Sequence, residues 1–233
     1  MLEKSEILFN LNIVKENIEN ACKRVNREND VVLIPVTKTF PHELIQTCIE
    51  LDIEEVGENR PLEIRDKYEL YHDQVKIHMI GHLQTNKIKY IGGKVVLIHS
   101  LDSVKLGNEL NKYASKNDIV FECLVQVNIA KEEAKFGISE NNIIEFLKEF
   151  EKFENIRIMG LMNMAPFYDN SEDARNDFKK MKILFESLKN EKFKNVQMKY
   201  LSMGMTNDYV VAVEEGSNMV RIGSAIFGTR TYL

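Results

Sequence analysis

The chain has 233 residues, a length that an α/β barrel can use as a single domain. Its hydrophobic fraction of 44% and charged fraction of 29% are typical of a soluble globular protein. The formal net charge of -5 argues against a nucleic-acid partner bound through its phosphates, and no apolar run approaches membrane-spanning length.

The three cysteines are widely spaced and odd in number. Cys22 and Cys48 fall on apolar positions of helical patterns, and Cys123 lies in a strand-like run. Buried thiols in a reducing compartment explain this distribution better than a disulfide framework or a CxxC metal site. The amphipathic N-terminal segment also lacks the apolar core of a secretion signal. We therefore expect a cytoplasmic protein with neither a metal nor a membrane partner.

Short apolar runs alternate with amphipathic stretches along the chain. Residues 6–26 carry one apolar helical stripe, and the β-branched run 31–36 is typical of a strand. A helix over 41–49 follows, with Pro41 in its first turn. Further strands are predicted at 53–57, 76–81, 95–100, 119–127, 156–162, 196–202 and 219–223, and further helices at 103–117, 139–153 and 173–190.

Eight strands, nearly all separated by helices, predict right-handed crossovers and a parallel sheet. Eight units favour one α/β domain over residues 1–233, a (β/α)8 barrel of the TIM type with an extra N-terminal helix. The alternative is an open sheet of the Rossmann type. No Gly-x-Gly-x-x-Gly follows the first strand, which counts against it.

In a barrel, reactive groups belong at the carboxyl ends of the strands, where the βα loops converge. Lys38 follows the first strand and would project into the barrel mouth. Partial desolvation lowers the pKa of such a lysine and favours attack of the free amine on an aldehyde. The alternative is an ordinary exposed lysine in a βα loop.

The ends of the seventh and eighth strands resemble a phosphate cradle. LSMGMTND (201–208) and RIGSAIFG (221–228) combine glycines with the hydroxyls of Ser202 and Ser224. Backbone N–H groups in such loops, near a helix N-terminus, bind phosphate oxygens. Thr206 and Asp208 are candidate helix caps, and the alternative for both loops is a turn followed by a cap.

Arg221 lies inside a terminal strand, where a charge is costly unless a partner faces it. Opposite the pyridine nitrogen of pyridoxal 5′-phosphate (PLP), it would donate a hydrogen bond and keep that nitrogen unprotonated. A salt bridge to an acid such as Glu58 is the alternative. The segment that contains His82, Gln84 and Lys87 is typical of either a second binding loop or the start of a helix.

Several motifs resemble, in order over nearly the whole chain, the pyridoxal-phosphate homeostasis proteins of the YggS/PROSC family. That family is similar in fold to the N-terminal barrel of alanine racemase. The motifs are V-T-K-T (36–39), G-E-N (57–59), I-G-H-L-Q-T-N-K (80–87), V-N…K-F-G (127–137), M-G-L-M (159–162), S-M-G-M-T (202–206) and V-R-I-G-S-A-I-F-G (220–228).

The resemblance implies that Lys38 holds PLP as a Schiff base, that Arg221 faces the ring nitrogen and that Asn59 lies near the ring. It also implies that Ser202, Gly223 and Ser224 form a phosphate site. His82 is counted with the candidate cofactor-binding residues. Thr206 and Ser224 replace an expected serine and threonine, and both keep the hydroxyl.

The family's implied role is a carrier or reservoir that supplies PLP to apoenzymes and affects amino-acid metabolism, without a turnover reaction. The alternative is a weak amino-acid racemase, which needs acid/base groups on both faces of the substrate, whereas Lys38 supplies one. Alanine racemase takes its second base from another domain, which we expect to be absent because the chain ends at Leu233. Tyr209 and Tyr232 are possible stand-ins. Arg221 disfavours a sugar-phosphate aldolase, and we expect a monomer.

Overall fold

The structure is a computed structural model that describes residues 2–130 and 136–228. These residues contain eight strands: β1 Val32–Pro35, β2 Glu55–Glu58, β3 Lys76–Met79, β4 Leu97–Leu101, β5 Phe121–Gln126, β6 Ile156–Met162, β7 Val196–Ser202 and β8 Met219–Ile222. The α-helices are α1 Lys4–Arg24, α2 Glu43–Glu50, α3 Pro61–Tyr71, α4 Val104–Lys116, α5 Ile143–Phe150, α6 Arg175–Lys189, α7 Tyr209–Glu214 and α8 Ser224–Phe227.

The sheet is parallel, in the order β1-β8-β7-β6-β5-β4-β3-β2, and it curls until its two edge strands meet. A single parallel bridge between Val36 and Gly57 joins those edges, and the Thr37 N–H donates to the Gly57 carbonyl over 3.0 Å. The predicted (β/α)8 barrel is therefore confirmed. All eight predicted strands are present, each within two residues of its predicted bounds.

The differences from the predicted elements lie at helix starts. A 3-10 helix over Thr85–Tyr90, rather than an α-helix, connects β3 to β4. Helices α5 and α6 are each preceded by a short 3-10 turn, so their α-helical parts begin later than predicted. The second helix is regular from Glu43, although the Leu44 N–H donates to the Pro41 carbonyl over 3.2 Å and extends the first turn back to the proline.

Two apolar layers stabilise the barrel. The larger layer lies between the sheet and the surrounding helices, and it includes the thiols of Cys22, Cys48 and Cys123, which are free and buried as predicted. The smaller layer fills the inside of the barrel. It consists of Ile34, Leu97, Leu124, Met159, Met162 and Met219.

Gly160 is required by an irregularity in the sheet. It lies where the register between β6 and β7 shifts, with φ of 140°, a conformation that side chains rarely adopt. A Cβ atom here would lie 1.9 Å from the Tyr200 carbonyl oxygen. Only glycine therefore allows these two strands to approach.

The extra N-terminal helix packs outside the barrel, against the short helices after β7 and β8. Asn17 donates to the Tyr209 hydroxyl over 2.9 Å, and Asn10 donates to the Ile226 carbonyl over 3.1 Å. Helix α1 thus supports the two loops that were predicted to bind phosphate. In the part of the chain that the structure describes, no helix has the length and apolar character needed to cross a membrane.

Candidate functional site

A cavity of about 540 Å³ opens at the carboxyl ends of the strands, within the size range of small-molecule sites. It brings together five of the seven residues that the sequence predicts for cofactor binding. These five are Lys38, Asn59, Arg221, Gly223 and Ser224. Its walls are mainly apolar, and they include Val36, Ile80, Met164, Ala165 and Phe167.

Lys38 lies just beyond the point where β1 and β2 close the barrel. The backbone is fixed on both sides of it, because Thr37 bonds to Gly57 and the Thr39 N–H donates to the Glu63 carboxylate over 2.9 Å. Lys38 is half-buried and lines the cavity. Its position is therefore the one that the sequence predicts for an amine at the barrel mouth.

Arg221 is the buried cation of the cavity, with 4% of the residue exposed. It donates to the Ser202 hydroxyl over 2.5 Å and to the Asn163 carbonyl over 2.9 Å. Burial lowers its pKa to about 10, opposed by the nearby charge of Asp208. The guanidinium has five N–H groups, so donors remain for the cavity that it lines. The suggested salt bridge to Glu58 is not formed.

Glu58 pairs instead with Lys67 of α3, a contact that the sequence reasoning missed. The Lys67 ammonium lies 2.6 Å from the Glu58 carboxylate and also donates to the Thr37 carbonyl over 2.8 Å. The Thr37 hydroxyl donates to the same carboxylate oxygen over 2.5 Å. This buried cluster anchors the backbone next to Lys38. No pattern in the sequence shows that these residues meet.

The loops after β7 and β8 meet at one side of the cavity. The Ser224 hydroxyl donates to the Thr206 hydroxyl over 3.3 Å, and both residues line the cavity with Gly223 and Asn207. Asp208 occupies the N-cap position of α7, but its carboxylate accepts from the Met205 N–H over 2.6 Å rather than from the helix. Glycine and hydroxyl groups therefore converge as predicted, and Asp208 is not a side-chain cap.

Ser202 lies deeper than the phosphate prediction requires. Its side chain is fully buried and does not line the cavity. Its hydroxyl contacts Arg221 and lies 3.1 Å from Nδ1 of His99 on β4. Because β4 and β7 are not neighbours in the sheet, this contact crosses the inside of the barrel. The hydroxyl thus supports Arg221 from below.

His82 lies beside the cavity rather than in it. Its ring stacks on Phe136 with 3.9 Å between ring centroids, and Nδ1 lies 3.1 Å from the Asp102 carboxylate. Phe136 lines the main cavity, so one aromatic ring separates His82 from it. His82 borders a second cavity of about 420 Å³, which shares Asn59 with the first and is also lined by Lys87.

Of the tyrosines considered as second bases, Tyr209 does not line the cavity. Tyr209 is buried against α1, and Tyr232 lies outside the described residues, as does Lys135 of the K-F-G motif. Tyr168, which the sequence reasoning did not single out, does line the cavity. Its hydroxyl donates to the buried Asp177 carboxylate over 3.1 Å.

Two further buried histidines, His78 and His99, were missed, although a signal for His99 is present in the sequence. His99 interrupts the apolar run VVLIHS, where a buried polar residue needs a partner. It lies 3.1 Å from His78 of β3, and both are buried. Within residues 2–130 and 136–228, no group of three or more His, Cys, Asp or Glu side chains is placed to hold a metal ion.

Comparison with known proteins agrees with this arrangement. Residues 9–231 match the family model described as alanine racemase, N-terminal domain. The chain belongs to this family. It is 43% identical to the pyridoxal phosphate homeostasis protein of Aquifex aeolicus over 224 residues, covering 95% of this chain and 97% of the relative. The resemblance inferred from the motifs is therefore confirmed.

Two other relatives are also similar to this chain over nearly its full length. The pyridoxal phosphate homeostasis protein of Haemophilus influenzae is 37% identical over 230 residues, 97% of each chain. PipY of Synechococcus elongatus PCC7942, solved with PLP bound, is 25% identical and superposes with a TM-score of 0.82 over 95% of this chain and 100% of that chain.

Proposed function

We propose that this protein binds PLP in the main cavity and acts in intracellular PLP homeostasis, as a carrier or reservoir that supplies apoenzymes. The observation that carries the proposal is the meeting of Lys38, Arg221 and the Gly223–Ser224 loop around one cavity. Relatives named for PLP homeostasis, and a similar structure with PLP bound, support it.

The residues of the cavity match the chemistry of the cofactor. Apolar walls suit an aromatic ring, an amine suits its aldehyde, and glycine and hydroxyl groups suit its phosphate. When bound, PLP supplies an aldehyde that condenses with an amine with loss of one water molecule. Lys38 is the lysine that lines this cavity in the described chain, and it is the residue we assign to that attachment.

Arg221 is assigned to the ring nitrogen. A guanidinium donates hydrogen bonds and does not accept a proton, so it holds the nitrogen as an acceptor. This disfavours strong electron withdrawal by the ring, which the carbanion chemistry of PLP enzymes requires. A donor at this position therefore supports storage of the cofactor rather than turnover.

Weak racemase activity is the second candidate function, and Tyr168 is the observation that favours it. A racemase needs a second acid/base group opposite the lysine, and the Tyr168 phenol lines the cavity. Its hydroxyl, however, donates to Asp177. That hydrogen bond directs the phenol proton to α6 rather than to a ligand. We therefore rank the carrier first.

The attachment is tested by reducing the PLP-loaded protein with borohydride and mapping the modified lysine by mass spectrometry. We expect the adduct on Lys38, and Lys38→Ala should lose both the adduct and the visible absorbance band of the linked cofactor. Lys87→Ala is the matched control, because Lys87 lines the neighbouring cavity only. An adduct of unchanged yield on another lysine of Lys38→Ala would reject the assignment.

A further inference from the structure

A continuous line of polar side chains crosses the inside of the barrel and ends at the cavity. It starts at Glu55 on β2, passes through two histidines and a serine, and reaches Arg221. We call this line the interior chain; its members are Glu55, His78, His99, Ser202 and Arg221. The four successive contacts measure 3.2, 3.1, 3.1 and 2.5 Å.

With both imidazoles neutral, the chemistry of the members fixes the direction of every hydrogen bond. Arg221 has only donors, so Ser202 must accept from it. The single proton of the Ser202 hydroxyl is then available to Nδ1 of His99, which accepts it when the line runs from Arg221 towards Glu55. A neutral imidazole with Nδ1 as acceptor carries its proton on Nε2, and that atom faces Nδ1 of His78.

The hydrogen bonds beyond His99 extend to Glu55 at the start of β2. His78 accepts at Nδ1, so its own proton lies on Nε2, which faces the Glu55 carboxylate. In the opposite direction, a histidine lone pair would face a carboxylate, which is repulsive. The hydrogen bond from His78 lowers the pKa of Glu55, which keeps that carboxylate ionised at neutral pH. Glu55 therefore sets the direction of all the hydrogen bonds in the interior chain.

Charge and burial agree with a neutral His99 in the middle of the interior chain. His99 is fully buried, and burial, together with the nearby charge of Arg221, lowers its pKa well below the ordinary value. An imidazolium here would place a second buried positive charge close to that of Arg221, which is unfavourable. His99 thus takes part in two hydrogen bonds of the interior chain without carrying charge.

We propose that His99, held as a neutral Nε2-protonated imidazole by His78 and Glu55, is a positioning residue that keeps Ser202 as the acceptor of Arg221 and so aims the remaining arginine donors into the cavity. This deepens the proposed function and rests on it, since Arg221 is the residue assigned to the ring nitrogen. A purely space-filling role for His99 would not require either tautomer.

The first test is nitrogen NMR of the imidazole rings, which distinguishes the two neutral tautomers and the imidazolium. It uses the full chain and does not depend on the cofactor. At neutral pH we expect His99 and His78 as Nε2-protonated neutral rings. An Nδ1-protonated or doubly protonated His99 would overturn the proposal, even if PLP binds at Lys38.

The second test measures the dissociation constant of PLP in His99 variants by titration of the visible band. His99→Leu removes the acceptor of the Ser202 proton, and we expect about tenfold weaker binding because a buried hydroxyl is left without its partner. His99→Asn, which places an acceptor oxygen near the position of Nδ1, should recover most of the loss. His72→Leu is the control, since His72 is exposed at the end of α3 and lines neither cavity.

Unchanged affinity in a folded His99→Leu protein would contradict the positioning role. If that variant fails to fold, His99→Asn and the tautomers of the unaltered protein still decide the question. If the unaltered protein binds no PLP, the proposed function fails, while the NMR result continues to test the direction of the interior chain.

Discussion

Arg221 occupies an unusual environment for a buried cation, because its direct partners are a hydroxyl and a carbonyl rather than a carboxylate. The nearest opposing charge that affects its pKa is Asp208, which acts at longer range. Burial of a charge without a paired carboxylate is unfavourable for folding. If Arg221 holds the cofactor as proposed, stability and cofactor binding should respond to its removal in opposite directions.

Arg221→Met tests this trade-off. An apolar side chain of similar length removes the desolvated charge, so we expect the free energy of unfolding to rise by about 1 kcal/mol in the absence of cofactor. The affinity for PLP should fall by about tenfold or more, because the hydrogen bond from a charged donor is lost. Urea unfolding and PLP titration measure the two effects. If the loss in free energy of unfolding exceeded the loss in free energy of PLP binding, Arg221 would be mainly structural.

At the scale of secondary-structure elements, the Glu58–Lys67 pair connects α3 to the ends of β1 and β2. Burial raises the pKa of Glu58, and this is opposed by the charge and hydrogen bond of Lys67 and by the hydrogen bond of Thr37. Both side chains are almost fully buried, so each needs the other. The pair holds the backbone at Thr37, and through it the loop that carries Lys38.

Lys67→Met removes the partner of Glu58, and we expect a loss of about 3–5 kcal/mol of stability at neutral pH. The pKa of Glu58, already raised in the folded state, should rise further. The folded state then binds more protons than the unfolded state, so stability increases as the pH falls from 8 towards 5. Urea unfolding at several pH values across this range measures how the free energy of unfolding depends on pH. The double variant Lys67→Met with Glu58→Leu should lose the pH dependence; if it persists, another group is responsible.

The elements themselves could be predicted from the sequence, whereas the polar contacts could not. β-branched runs such as 31–36 locate the strands, and the barrel rule then places Lys38 and Arg221 at one end. The contact of His99 with Ser202 depends on barrel closure, because it joins strands that are not neighbours in the sheet. His82 shows the same limit, because its place after the third strand was predicted, whereas its contacts with Asp102 and Phe136 depend on how the loops pack.

At the scale of the whole molecule, the barrel presents its cavity at one open end. Exposed apolar side chains lie around the mouth, with Phe167 exposed by 76% and Phe136 by 56%. In the described chain, the cavity joins the amine of Lys38 with the guanidinium of Arg221 and the hydroxyls of Thr206 and Ser224. The proposed carrier role makes reversible binding and release at this mouth the property to measure.

The last prediction is that the PLP-loaded protein transfers its cofactor to an apo PLP enzyme but does not turn over amino acids. Each well-placed acid/base group contributes about 10²–10⁴-fold to catalysis, so one lysine without an opposing base leaves only slow exchange. The measurement mixes loaded protein with the apoenzyme and follows recovered activity, with chiral analysis of alanine in parallel. Lys38→Arg, which keeps the charge but cannot link the aldehyde, should retain less PLP through gel filtration and deliver correspondingly less. Racemisation at about 1–10³ s⁻¹, abolished by Tyr168→Phe, would instead establish the racemase.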